Sequence, residues 1–162
     1  MKFPLSMTAL ACAMLSTSAL ADLTLERTTS LSDSFGGSLS ITTSGTIEIP
    51  GADTTSQATL TNFHPHDDQN LVANGSVTRA HERSDGTSTS TYNGTLTLTG
   101  TDKNGNPVND SLTLQDLQVV RDGDGPVFSG TVVLNGTTID ASQMDDDTQH
   151  LLHRVLRFFA FD

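Results

Sequence analysis

From Asp22 to about Ile139, apolar residues recur at every second position with threonine and serine between them, and few folds accommodate that pattern. Leu39, Ile41, Ile47 and Ile49 share a parity. Leu71, Ala73, Gly75 and Val77 repeat it, as do Tyr92, Gly94, Leu96 and Leu98, and then Phe128, Gly130, Val132 and Leu134. Successive side chains of a strand point to opposite faces, so each run has one apolar face and one hydroxyl-rich face. Repeated along a chain, this describes an antiparallel sheet with one face covered and the other in water. Leu112 and Leu114 alternate, then Leu117 and Val119 alternate one step out of phase. That slip predicts a β-bulge near Gln115-Asp116.

The segments between these runs carry turn chemistry. Asn104-Gly105, inside Lys103-Asn104-Gly105-Asn106, is a strong hairpin signal between two alternating stretches. Asp122 to Pro126, Pro50 to Asp53 and Glu82 to Gly86 mark three more reversals. About seven strands in up-and-down order follow. Gly45, Gly75, Gly94 and Gly130, all inside strands, predict strong bending into a half-barrel.

Near the carboxyl end the period changes to that of a helix. Leu151, Leu152, Val155, Leu156, Phe158 and Phe159 fall on one side of a helical projection, with His150, His153, Arg154 and Arg157 on the other. Asp145, Asp146 and Asp147 stand where the helix dipole favours acid, and Asp146 with Gln149 resembles a capping box. The expected helix covers 145–160. Three of the chain's 7 phenylalanines (Phe158, Phe159 and Phe161) lie in this stretch. At about 1.5–3 kcal/mol for each large apolar side chain buried, they favour packing on the apolar face of the sheet.

Residues 1–21 have the parts of a cleavable signal peptide. Lys2 supplies the positive charge, Leu5 to Leu15 is largely apolar, and Ala19 and Ala21 place small residues before Asp22. The apolar run is shorter than the ~20 residues that span a bilayer. Cys12 raises the rival of a lipoprotein leader, but Leu10 stands one place too close to it for that motif. Cleavage after Ala21 leaves a single domain, 22–162, and removes the chain's 1 cysteine, so the exported protein forms no disulfide. It also removes one of 8 basic residues and none of the 19 acidic ones, taking the net charge from −11 to one unit lower. Such a charge disfavours nucleic acid and anionic membrane surfaces as partners. The expected location is the periplasm, with secretion or association with the outer membrane as the other destinations.

One local cluster suggests chemistry. His64 and His66, with Asp67 beside them and His81 on a neighbouring strand, have the donor types that hold Zn²⁺ or Cu²⁺. A polar surface loop is the structural explanation of the same residues. His150 and His153 share a helical face at a spacing able to hold a metal, though solvation explains them equally. Asp102 to Asn106 starts like a Ca²⁺ loop, but Pro107 and Thr113 occupy positions where that motif needs glycine and glutamate. No Gly-x-Ser-x-Gly elbow is present, and Trp 0 and Tyr 1 leave few aromatic platforms for sugars. A small outer-membrane barrel lacks its aromatic girdles here, and a helical last segment conflicts with a final strand. An adhesin-like subunit shares the Thr/Ser/Gly flavour without a fixed repeat.

The expectation is therefore a mainly β protein: a curved antiparallel up-and-down sheet with one C-terminal amphipathic helix on its apolar face. The expected function is that of an exported, non-catalytic binding or structural module needing no cofactor. Its ligand would be an apolar molecule between sheet and helix, or its partner another envelope protein. The metal-binding cluster and the adhesin-like or outer-membrane-associated subunit are the other readings.

Overall fold

Alternation becomes structure in eight strands, each hydrogen-bonded to the next in chain order. They are β1 (Leu23–Ser32), β2 (Ser38–Glu48), β3 (Gly51–Phe63), β4 (Leu71–Ser84), β5 (Thr87–Thr101), β6 (Pro107–Arg121), β7 (Pro126–Leu134) and β8 (Thr137–Asp140). Every pairing is antiparallel. A 3-10 turn at Ala141–Gln143 leads to one helix, α1 (Asp146–Leu156). This computed structural model describes residues 23–48, 51–65, 70–101, 105–122 and 125–156. The signal-peptide segment, His66, Asp67 and the phenylalanines after Leu156 lie outside the described residues.

Pairing assembles the apolar parity into rows that cross the sheet. Leu39, Leu60, Leu96, Leu112 and Leu134 fall in one row, with Gly75 between Leu60 and Leu96. Ile41, Ala58, Val77, Leu114, Val132 and Ile139 form the next, with Gly94 between Val77 and Leu114. These side chains make one continuous core with Ala141, Met144 and Leu152. The other face is wet and laced by hydroxyl pairs such as Thr28–Thr42 (3.4 Å) and Thr95–Thr113 (3.1 Å). Cross-strand pairs of this kind stabilise a sheet by a few tenths of a kcal/mol to ~1 kcal/mol each, which suits threonine there.

The expected slip at Gln115-Asp116 is present. Tyr92 pairs with Leu117 but Gly94 with Leu114, so one residue of β5 faces two of β6. Asp116 takes a left-handed backbone (φ 48°) at the bulge. Asn93 fastens it: its amide donates to Asp116 Oδ1 (3.0 Å), and Asp116 N donates to Asn93 Oδ1 (2.8 Å). On the other side of β6, Gln115 pairs with Thr131 and Gln118 with Ser129, so the irregularity continues into β7.

Two differences from expectation have clear causes. Eight strands form where about seven were expected, because Asn135-Gly136 turns the chain once more into β8. With φ of 51° and 80° these residues make the mirror-image turn that matches strand twist. The sheet also stays open and uncurled, flatter than the strongly bent sheet expected. Closure would pair the first strand with the last, and β8 has 4 residues against 10 in β1.

The helix lies on the apolar face as expected, with Leu152 fully buried in the core and Leu156 packed against it. Its cap sits one residue earlier than the sequence pattern suggested. Thr148 N donates to Asp145 Oδ1 at 2.8 Å, which makes Asp145 the N-cap and places Asp146 in the first turn. Hydrogen bonds from the Thr148 hydroxyl and from its backbone amide hold the Asp145 carboxyl below its ordinary pKa. Asp145→Ala is expected to fray the first turn, read as a loss of helical signal in far-UV circular dichroism.

Candidate functional site

The residues singled out from sequence do not assemble into one centre among the described residues. Phe63, next to His64, pairs with Ala73, whereas His81 pairs with Thr54. At about 3.3 Å per residue the eight-residue step from Ala73 to His81 puts the two histidines at opposite ends of the strands, some 25 Å apart. His66 and Asp67 fall outside the described residues. Among the described residues no three His, Cys, Asp or Glu side chains stand close enough to share a metal ion. His153 sits edge-on to Phe128, with ring centroids 6.1 Å apart.

His64 belongs to a tight structural junction. Asp33, in the loop between β1 and β2, accepts from His64 N (2.7 Å) and from His64 Nδ1 (2.9 Å). Its other oxygen accepts from Phe35 N (2.9 Å) and Gly37 N (2.8 Å). The Phe35 and His64 rings meet at 4.9 Å. Burial opposes the charge on Asp33, but these four bonds outweigh it and hold the carboxyl well below the usual carboxylate range. A depressed carboxyl stabilises the fold above its unfolded pKa, and that stabilisation is lost as pH falls through the folded one. Asp33→Asn should therefore lower the thermal midpoint by several degrees at neutral pH. The gap from the parent protein should close progressively below the ordinary aspartate value of 3.8. Thermal melts across that acid range check both parts.

The more informative constellation is one that sequence reasoning passed over. Arg79 and Arg83 share the parity of Ala73 and Val77, and Arg121 shares that of Leu117 and Val119, so all three lie on the apolar face. Arg27, opposite buried Thr43, lies there too. Every arginine whose side chain is described is thus on the core-bearing side of the sheet, where Arg27, Arg83 and Arg121 are exposed. Glu26, Asp53 and Glu82 are on the other side, and Asp110, opposite Leu98, is on the core-bearing one. The signal was available in the sequence: arginines replace apolar residues at the in-facing positions of β4 and β6.

Register gathers three of the four at one end. Arg83 pairs with Ser88, and Ser88 with Arg121. One row inward are His81, Ser90 and Val119, and one further are Arg79, Tyr92 and Leu117. Arg79 Nε donates to Ser90 Oγ at 3.3 Å, and His81 Nδ1 lies 2.9 Å from the same oxygen. Arg83 and Arg121 are exposed, Arg79 and His81 half-buried, and Ser90 buried. Among the described residues neither Arg83 nor Arg121 is ion-paired.

This environment decides what His81 can do. Burial lowers its pKa first, and repulsion from Arg79, Arg83 and Arg121 lowers it further, against a smaller opposite effect from a Thr89 backbone bond. A group so shifted leaves the unfolded chain with more bound protons near pH 6, so stability drops as pH falls from 6.5 towards the folded value. An NMR titration of the His81 ring should show its midpoint below that of an unperturbed histidine. Replacing Arg83 and Arg121 by glutamine should move the midpoint upward.

The Ser90–His81 contact has the outline of a nucleophile and its base, but its surroundings oppose the role. Ser90 is 1 % exposed, which denies a substrate access to its hydroxyl. The charged groups acting on the ring are arginines, which make it a poorer base, where a catalytic histidine is oriented by an acid. The same positive charges repel a divalent cation and attract an anion. Chemically, then, this end of the face suits anion binding. No family model, curated protein or solved structure matches this chain.

Proposed function

We propose that the chain is an exported, non-catalytic binding module whose contact surface is the arginine-bearing end of the covered face. One observation carries this reading: a protein of net charge −11 places every arginine whose side chain is described on the side of the sheet that elsewhere forms its core. Arg27, Arg83 and Arg121 are exposed there and only Arg79 is half-buried, so the cost of gathering Arg79, Arg83 and Arg121 is their mutual repulsion. Retaining three of them around one histidine makes sense for a chain selected to hold a ligand. The signal-peptide pattern of residues 1–21 supports export to the periplasm or beyond. No described helix is long and apolar enough to cross a membrane.

Native mass spectrometry of the protein recovered from its own exporting host is the test. The expected result is a chain starting at Asp22 that carries a bound small molecule, lost when Arg83 and Arg121 are both replaced by glutamine. A chain that remains bare under non-denaturing recovery, or a ligand that the double variant retains, would refute the proposal.

A further inference from the structure

We propose that the site formed by Arg83, Arg121 and Arg79 recognises a tetrahedral oxyanion, a phosphate or sulfate group on its ligand. This rests on the binding-module reading and names the chemistry of its ligand.

Arg83 and Arg121 occupy one cross-strand row with Ser88 between them. At about 4.8 Å per strand their backbones are roughly 10 Å apart, within the combined reach of two arginine side chains. Both are exposed, so a ligand reaches them by diffusion and little water is stripped from the free site. Two guanidinium groups this close repel each other, and an anion between them turns that repulsion into two attractions. Ser88 adds a hydroxyl at the midpoint of the row. Arg79, two rows inward on β4 with its Nε held on Ser90 Oγ, adds a third positive charge behind the pair.

The number of forks selects the ligand. A guanidinium donates two parallel hydrogen bonds to an oxyanion, so one arginine already satisfies both oxygens of a carboxylate. A phosphate or sulfate has enough oxygens to engage two or three arginines at once. Acidic residues stand close by: Glu82 lies on the other face of the sheet, and Asp85 and Asp122 lie in the turns just beyond the row. All three are exposed, where salt and water weaken their repulsion of an anion.

The test is a titration of residues 22–162 in about 0.15 M salt, followed by amide NMR, first with inorganic phosphate and then with inorganic sulfate. Saturable shifts centred on Arg83, Ser88, Ser90 and Arg121 are expected. Arg83→Gln and Arg121→Gln should each weaken binding about tenfold, the loss of one charge-assisted fork. Arg27→Gln makes the same change in net charge three strands away and should alter affinity less than about twofold. The amide spectra of the variants report directly that each remains folded. Vesicles identify the source of the group: sedimentation with phosphatidylglycerol but not phosphatidylcholine vesicles assigns a lipid headgroup, and binding of free phosphate alone assigns a soluble ligand. Absence of saturable shifts with both anions, or shifts unchanged in Arg83→Gln and Arg121→Gln, overturns the proposal. If the host-derived protein carries a ligand without phosphate or sulfate, the oxyanion assignment fails and the binding module stands. If it carries none and binds neither anion, both fail.

Discussion

Leu152→Ala is expected to lower the free energy of unfolding by about 2–5 kcal/mol, the range for truncating a leucine in a closed core. Leu152 is 0 % exposed and joins α1 to Val132, Leu117 and the rest of the apolar face in one cluster. An 11-residue helix is marginal by itself in water, so its persistence depends on this burial more than on intrinsic propensity. Helix and sheet should therefore unfold together. Urea denaturation followed at helical and strand wavelengths of circular dichroism checks this, with coincident and lowered midpoints expected. A variant that lost its helix while the sheet kept the parent midpoint would make α1 a detachable lid. Leu151, which is only half-buried, should cost clearly less when cut to alanine.

Gly94→Ala should be as damaging by another route. Gly94 lies inside β5 at φ 146°, a conformation L residues rarely adopt, and a side chain there would run into the Ser76 carbonyl of β4. Backbone strain of this kind costs roughly 1–3 kcal/mol, and the collision adds to it. Because the obstacle is backbone, it cannot rotate aside as a side-chain tip would. Gly105→Ala is the control: that glycine also has a positive φ, 82°, but nothing within 4 Å of the added carbon. It should lose only the strain. Thermal melts of the two variants are expected to show a much larger drop for Gly94→Ala, and equal drops would remove the steric argument.

Much of the fold was legible because its cause is local. Parity depends only on neighbouring residues, and burying one face of each strand is enough to define it. The phase slip between Leu114 and Leu117 located a bulge because one extra residue reverses every later side chain. The helix was legible for the same reason, through its longer period. Asn135-Gly136 carried an equally local signal for β8, present in the sequence but passed over. The N-cap at Asp145 was less legible, since three successive aspartates satisfy the same preference and only the chain's entry from Met144 separates them.

By itself, the sequence determined a one-sided antiparallel meander, a bulge in β6 and an amphipathic helix near the carboxyl end. Tertiary structure alone decided which distant residues meet. The closeness of Arg83 to Arg121, which are 38 positions apart in the chain, depends on the lengths of two hairpins and on where the bulge falls between β5 and β6. The same accumulation of registers carries His81 away from His64, and it brings His64 to Asp33 across 31 positions. Parity is set within a strand and can be read from it. Register adds up turn by turn across strands, so the anion-binding end of the face exists only once the sheet has assembled.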